Sequence, residues 1–251
     1  MNICIIETGL ARDSLKQTFG TYPEMVENLL SPYMDDSSFS TTSLVQGDKL
    51  PATKDFDGFI IMGSRHSVYD DLPWIEPLRQ FVRTLTSERI PLVGICFGHQ
   101  IMAEALGGKV AAADEGWLLG VQEYLIPETD GRIKSVAYHH DQIVENPPNI
   151  DILMKNENCM NAACVYQNFP AFSVQPHPEF EKHFTSKLLK ISRDGSVPET
   201  IVDQALNTID TPIHQQRFAR AISELLLNKA DTAALSKYLS EEDCISARAS
   251  I

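Results

Sequence analysis

Short, fully apolar runs alternate with amphipathic stretches through the first hundred residues. Asn2-Ile3-Cys4-Ile5-Ile6, Gly58-Phe59-Ile60-Ile61-Met62 and Ile90-Pro91-Leu92-Val93 are each too short for a helix. Unbroken apolar strands of this kind are buried on both faces, as in a parallel sheet. Between them the period lengthens. Met25, Val26, Leu29 and Leu30 share one face of a helix predicted over 23–34. Trp74, Ile75, Leu78, Phe81, Val82 and Leu85 form a stripe in a second helix, which Pro73 begins. That stripe reads as core, not as a cofactor box. Residues 40–45 are β-prone. Strand 90–95 leads into a helical pattern that Gly107-Gly108 closes. This alternation predicts an α/β fold.

The period then shortens. Residues 117–126, 132–138, 150–154, 162–167 and 171–175 read as strands separated by turn residues, an antiparallel or mixed β section. Helices are expected over 180–192, 198–209 and 212–228, with Pro198 and Pro212 in first-turn positions. The last twenty or so residues are small and polar, a frayed helix or tail. No internal repeat or low-complexity tract interrupts the chain. The expected division is one domain over 1–190 and a helical C-terminal extension over 191–251 packed upon it.

A chain of 251 residues can bury a sizeable core. Its 21 basic against 34 acidic residues leave a net charge of −13, which argues against nucleic-acid or anionic-membrane partners. Glu7 interrupts the first apolar run at once, so the run does not read as a secretory signal. No apolar stretch approaches membrane-spanning length. Five cysteines without a pairing pattern fit a reducing, cytoplasmic setting.

The most informative stretch is Gly94-Ile95-Cys96-Phe97-Gly98-His99-Gln100. A nucleophile with glycine two residues away on each side, between strand and helix, describes a nucleophile elbow. The glycines remove Cβ atoms that would clash where helix meets strand. The helix N-terminus points its free N–H groups at the sulfur, which suits a thiolate nucleophile. A free cysteine is more often simply packed, and that reading is kept for Cys4, Cys159, Cys164 and Cys244. Only Cys96 has the elbow around it. Cys159 and Cys164 have no second pair for a zinc site.

Phe172-Ser173-Val174-Gln175-Pro176-His177-Pro178-Glu179-Phe180 reads as a strand ending in a loop that presents a histidine. Two prolines stop strand pairing and stiffen the loop. A catalytic cysteine needs a base that takes its proton and returns it to a leaving group. Histidine suits that work, and Glu179 can fix its tautomer. Alone, His177 would be an ordinary histidine; beside the elbow it reads as catalytic.

These two motifs resemble those of the class I (triad) glutamine amidotransferases. Gly94 to Gln100 is similar to the family's nucleophile motif. His177-Pro178-Glu179 is similar to its His-x-Glu, some eighty residues later. The resemblance covers roughly residues 1–190. Within the family it leans towards the glutaminase part of GMP synthetase and its stand-alone relatives, through Gly63-Ser64-Arg65-His66-Ser67-Val68-Tyr69-Asp70. The implied fold is flavodoxin-like, with a mostly parallel central sheet and helices on both faces. The implied catalytic residues are Cys96, His177 and Glu179.

Amide hydrolysis by a thiol passes through tetrahedral oxyanions, which need donors aimed at the oxygen. The backbone N–H of Phe97 is one candidate. The resemblance places the second at the Gly63-Ser64 turn, although Ser64 and Arg65 replace a Gly and a Pro of the GMP synthetase pattern. The other reading of that turn is a plain strand ending. Family resemblance gives Gln100 to the substrate; a hydrogen bond to neighbouring backbone explains it equally. Tyr138-His139-His140-Asp141 is similar to the family's Ser-His-Gly-Asp substrate loop, with His139 and Asp141 matching. It reads first as a substrate loop, then as a structural turn, and last as a metal site, because adjacent side chains diverge on a strand. Glu115-Gly116-Trp117, Arg65 and His66 are further candidates for the mouth.

No metal or cofactor is expected. No phosphate-binding loop follows the His-x-Glu, so ammonia would go to a separate synthetase or acceptor subunit. The resulting expectation is a glutaminase subunit that releases glutamate and ammonia from glutamine. The alternative is a free-standing γ-glutamyl peptidase with the same three residues. A binding module without turnover would be expected to have lost one of them.

Overall fold

The computed structural model describes residues 1–195, 197–228 and 231–240. Strand β1 (Asn2–Glu7) leads through α1 (Asp13–Phe19) and α2 (Tyr22–Leu30) to β2 (Ser38–Ser43). Next come β3 (Gly58–Ile61), α3 (Ile75–Glu88), β4 (Leu92–Ile95) and α4 (Phe97–Ala105). A run of strands follows: β5 (Lys109–Ala112), β6 (Leu118–Ile126), β7 (Gly131–His139), β8 (Asp141–Glu145), β9 (Ile150–Asn156), β10 (Cys159–Tyr166) and β11 (Ala171–Val174). Helices α5 (Lys182–Ile191), α6 (Glu199–Asn207), α7 (Gln215–Leu226) and α8 (Leu235–Ser240) complete the described chain.

One nine-stranded sheet runs in the order β2-β1-β3-β4-β11-β10-β9-β6-β7. The first five are mutually parallel; the last four extend the sheet through antiparallel pairings. Side chains alternate between the faces with period two. Ile3, Ile5, Ile60, Val93 and Phe172 enter one core, closed by α2 and α7 through Val26, Leu30, Phe218 and Ile222. Cys4, Ile6, Phe59, Ile61 and Leu92 enter the other, closed by α3 and α4 through Leu78, Val82, Ile101 and Met102. Both faces are covered, which is why the central strands read as unbroken apolar runs. Each buried Ile or Leu contributes about 1.5–3 kcal/mol.

Several boundaries differ from the sequence reading. Helix α2 opens on a capping box, with Glu24 N–H donating to Thr21 Oγ1 at 3.3 Å and Thr21 N–H to Glu24 Oε2 at 2.6 Å. It ends at Leu30 and tightens into a 3-10 turn over Ser31–Tyr33, because Pro32 has no N–H to continue the ladder. Helix α3 starts at Ile75, two residues after Pro73. Helix α1 was not expected: it is seven residues long and buries only Leu15, too little for a periodic signal. Strands β5 and β8 pair as a separate two-stranded ribbon that was also not expected. Of the predicted tail, 241–251, including Cys244, lies outside the described residues. Among the described residues no helix is long and apolar enough to cross a membrane.

Candidate active site

The carboxyl ends of β1, β3, β4 and β11 lie along one edge of the sheet, where clefts form in α/β folds. Cys96 follows β4 directly and adopts φ 53°, ψ −103°, a backbone conformation that L residues rarely occupy. Its N–H donates to Val174 O at 2.8 Å, so β11 clamps the turn. The flanking glycines answer to close packing rather than to unusual angles. A Cβ on Gly98 would lie 2.1 Å from the Ile61 carbonyl oxygen, and one on Gly94 would lie 2.6 Å from the Gly98 carbonyl. Helix α4 can therefore sit hard against β3 and β4.

His177 reaches this point on the loop after β11. Its N–H donates to Val136 O at 2.8 Å, and its ring stacks on Phe180 at 4.2 Å and 5°. Glu179 Oε1 lies 2.8 Å from His177 Nδ1, and both side chains are buried. Glu179 Oε2 meets no donor among the described residues, so the carboxylate's charge acts mainly on the imidazole. The Cys96 side chain and the same ring both crowd the Gly63 position, and the sulfur acts electrostatically on the imidazole. Nδ1 is engaged by Glu179, which leaves Nε2 for the sulfur. Burial alone would depress the imidazolium. The Glu179 carboxylate and the Cys96 sulfur outweigh burial and hold it well above the usual histidine range. Gln215 of α7 pins the loop from behind, donating through Nε2 to Pro178 O at 2.7 Å and Phe180 O at 3.3 Å.

The turn after β3 covers the pair. Gly63 lies so close that a Cβ there would be 2.8 Å from His177 Cε1 and 3.6 Å from Cys96 Cβ. Thr8 Oγ1 donates to the Met62 and Gly63 carbonyls at 3.0 and 3.1 Å. A trans peptide sets its N–H opposite its C=O, so the Ser64 N–H points away from Thr8. Phe97 is the first residue of α4, and its N–H has no intrahelical acceptor.

Outside Cys96 lies a cleft of about 380 Å³. The predicted residues Ser64, Gln100, Tyr138, His139 and Asp141 border it, as do Arg65, His66 and Trp117; Glu115 and Gly116 do not. The hydrogen bonds qualify these placements. Gln100 Nε2 donates to Asp141 O at 2.8 Å and Gln175 Oε1 at 3.1 Å, which favours the structural side of its two readings. The Tyr138 hydroxyl bonds Ser192 Oγ at 2.6 Å. Asp141 accepts from Ser67 Oγ at 2.5 Å and Tyr69 OH at 3.1 Å, tying the 64–70 loop to the start of β8. Burial drives His139 down to about 4, so it stays neutral. His99, inside the elbow motif, bonds Ser173 Oγ at 2.7 Å in the core, and burial drives it to about 3. Among the described residues no group of three or more His, Cys, Asp or Glu side chains is placed to hold a metal.

Thr8, Phe180 and Gln215 were missed from sequence. A threonine after a strand, a phenylalanine after the His-x-Glu and a glutamine opening a distant helix carry no local signature. Only the topology brings them together.

The family model described as glutamine amidotransferase class-I matches residues 32–190, and the chain belongs to that family of hydrolytic enzymes. It is 26% identical over 231 residues to gamma-glutamyl peptidase 4 of Arabidopsis thaliana, covering 85% of this chain and 90% of the relative. It is 32% identical over 147 residues to one subunit of the glutamine-hydrolysing GMP synthase of Sulfolobus acidocaldarius, covering 56% of this chain and 76% of that one. A crystal structure of a glutamine amidotransferase from Methylobacillus flagellatus shares the fold, with a TM-score of 0.71 at 21% identity over 96% of each chain.

Proposed function

We propose that this chain hydrolyses γ-glutamyl amide bonds through a thioester on Cys96, with His177 as acid and base and Glu179 as its orienting carboxylate. The observation that carries the reading is the single constellation at the sheet edge. A strained cysteine after β4 meets a buried histidine, and that histidine is held 2.8 Å from a buried carboxylate.

In the first half-reaction the thiolate adds to the amide carbon, and the carbonyl π pair moves onto oxygen. The Phe97 and Ser64 N–H groups, on the turn that includes Gly63, are the donors proposed for that oxyanion. On collapse the C–N pair leaves with nitrogen, which takes the proton from His177 Nε2 and departs as a neutral amine or ammonia. Water then adds to the thioester carbon and gives a proton to His177. The C–S pair returns to sulfur, and glutamate is released. Gln100, Tyr138, His139 and Asp141 shape the cleft for the glutamyl part. Each of these steps draws only on this chain's own groups and water.

Two fates of the leaving nitrogen follow. Similarity to a gamma-glutamyl peptidase over most of both chains supports a free-standing hydrolase, and its span reaches beyond residue 190. Similarity to a GMP synthase subunit supports a second reading, in which ammonia passes to a separate synthetase. Among the described residues the four cysteines are free and buried, which suits a cytoplasmic setting.

The test is glutamate release from glutamine and from γ-glutamyl dipeptides by the wild type and by Cys96→Ala, His177→Ala and Glu179→Gln. Turnover that vanishes in the first two and slows in the third is expected. Full-rate turnover in Cys96→Ala would assign the chemistry elsewhere.

A further inference from the structure

Two cavities meet at the Cys96–His177 pair. One is the polar cleft in front of the thiol, with Arg12, His66, Ser67 and Asp141 on its walls. The other holds about 80 Å³ and is bordered by His177, Leu10, Tyr22, Phe180 and Leu188. Ser64, Arg65 and Tyr138 border both. Cys96 borders the first alone and His177 the second alone. Phe180 and Leu188 are buried, whereas Leu10 is 50% exposed, so an apolar chamber opens to solvent beside Leu10.

Chemistry assigns the two ends of a substrate to these two spaces. The carbonyl carbon must meet the sulfur, and the charged α-amino and α-carboxylate groups of the glutamyl part need the polar cleft. The departing nitrogen must meet the imidazole that protonates it. Whatever that nitrogen carries therefore extends to the imidazole's side, into the second cavity. Ammonia carries nothing and leaves the chamber unused. The chamber is several times the roughly 10–15 Å³ that one water requires. Ser64, Arg65 and Glu179 also border it, but Leu10, Tyr22, Phe180 and Leu188 supply an aliphatic and aromatic wall, against which a polar side chain would lose its water without compensation.

We propose that the His177-side cavity is a subsite for the group borne by the leaving nitrogen. It selects a small aliphatic side chain, which makes γ-glutamyl dipeptides with an apolar second residue the preferred substrate class. This deepens the thioester reading above and rests on it. Arg65, at the junction of the two spaces, is placed for the dipeptide's terminal carboxylate.

The test compares γ-glutamyl-leucine with γ-glutamyl-asparagine, which share shape, charge and terminal carboxylate and differ in side-chain polarity. The measured quantity is the ratio of their kcat/KM values. A ratio on the order of tenfold or more is expected, because one buried aliphatic group commands discrimination of that size. Leu10→Asn puts a polar group of the same shape at the half-exposed mouth, and the ratio should fall severalfold towards one. A wild-type ratio near one, with glutamate release still dependent on Cys96, would overturn the subsite and leave the thioester reading standing. A large ratio unaltered by Leu10→Asn would place the leaving group elsewhere. No Cys96-dependent release from either peptide or from glutamine would remove the thioester reading and the subsite with it.

Discussion

A Cβ atom on Gly63 would lie 2.8 Å from His177 Cε1, inside any tolerable non-bonded distance. The glycine is therefore required by its neighbour across the site. Gly63→Ala should displace the imidazole while leaving the cores intact. Misplacing a catalytic group by about an ångström lowers kcat by about a hundredfold. The chemical-denaturation midpoint should move far less than the rate. An active Gly63→Ala enzyme would mean that the turn is free to retreat from His177.

The backbone at Cys96 stores strain. A non-glycine residue at φ 53°, ψ −103° costs of order 1–3 kcal/mol. Cys96→Ala keeps that strain; Cys96→Gly relieves it but loosens the unfolded chain by about 0.4–1 kcal/mol. Relief is the larger effect, so Cys96→Gly should be about 1 kcal/mol more stable than Cys96→Ala. Urea unfolding with an unchanged m-value tests this. The opposite order would show that the elbow is unstrained.

Much of this was legible in the sequence because the decisive features are local. The runs at 2–6 and 58–62 announced strands buried on both faces, and the α3 stripe announced its packing. Cys96 and His177-Pro178-Glu179 each stood in a short, distinctive motif. What stayed hidden depends on long-range closure. The Ser67–Asp141 and Thr8–Gly63 bonds join residues 74 and 55 positions apart. The support of the His177 loop by Gln215 arises only once α7 has packed on the sheet. Gln100 was ambiguous because a buried amide meets substrate or backbone equally well on paper. Its two protein partners became visible only in three dimensions.

Acid should destabilise the fold earlier than its carboxylates alone would dictate. Burial holds His99 at about 3 and His139 at about 4 in the folded chain, against about 6.5 unfolded. Below pH 6.5 the unfolded state binds more protons, so stability falls as pH falls. Each histidine adds a slope of up to about 1.4 kcal/mol per pH unit, until its own folded value is reached. Urea midpoints between pH 7 and 5 should decline measurably, before most carboxylates titrate. A flat profile over that range would mean that these rings can be protonated in place.

Asp141 joins the two walls of the polar cleft through Ser67 and Tyr69. Asp141→Ala leaves both hydroxyls without that acceptor and should cost about 1–3 kcal/mol of stability. KM should rise more than kcat falls, because the change loosens the wall without touching the Cys96–His177 pair. Asp141→Asn retains one acceptor oxygen and should recover part of the loss. Steady-state kinetics on all three enzymes settles the pattern. A pure kcat defect would move Asp141 into the chemical step.

The thioester is the most direct point of attack. Wild type and Cys96→Ala can be mixed with γ-glutamyl-leucine, quenched in acid during turnover and analysed by peptide mass spectrometry. The expected result is one glutamyl residue attached to the peptide that contains Cys96, removable by hydroxylamine and absent from Cys96→Ala. Sustained glutamate release with no adduct on Cys96, and equal release by Cys96→Ala, would contradict nucleophilic catalysis by this cysteine.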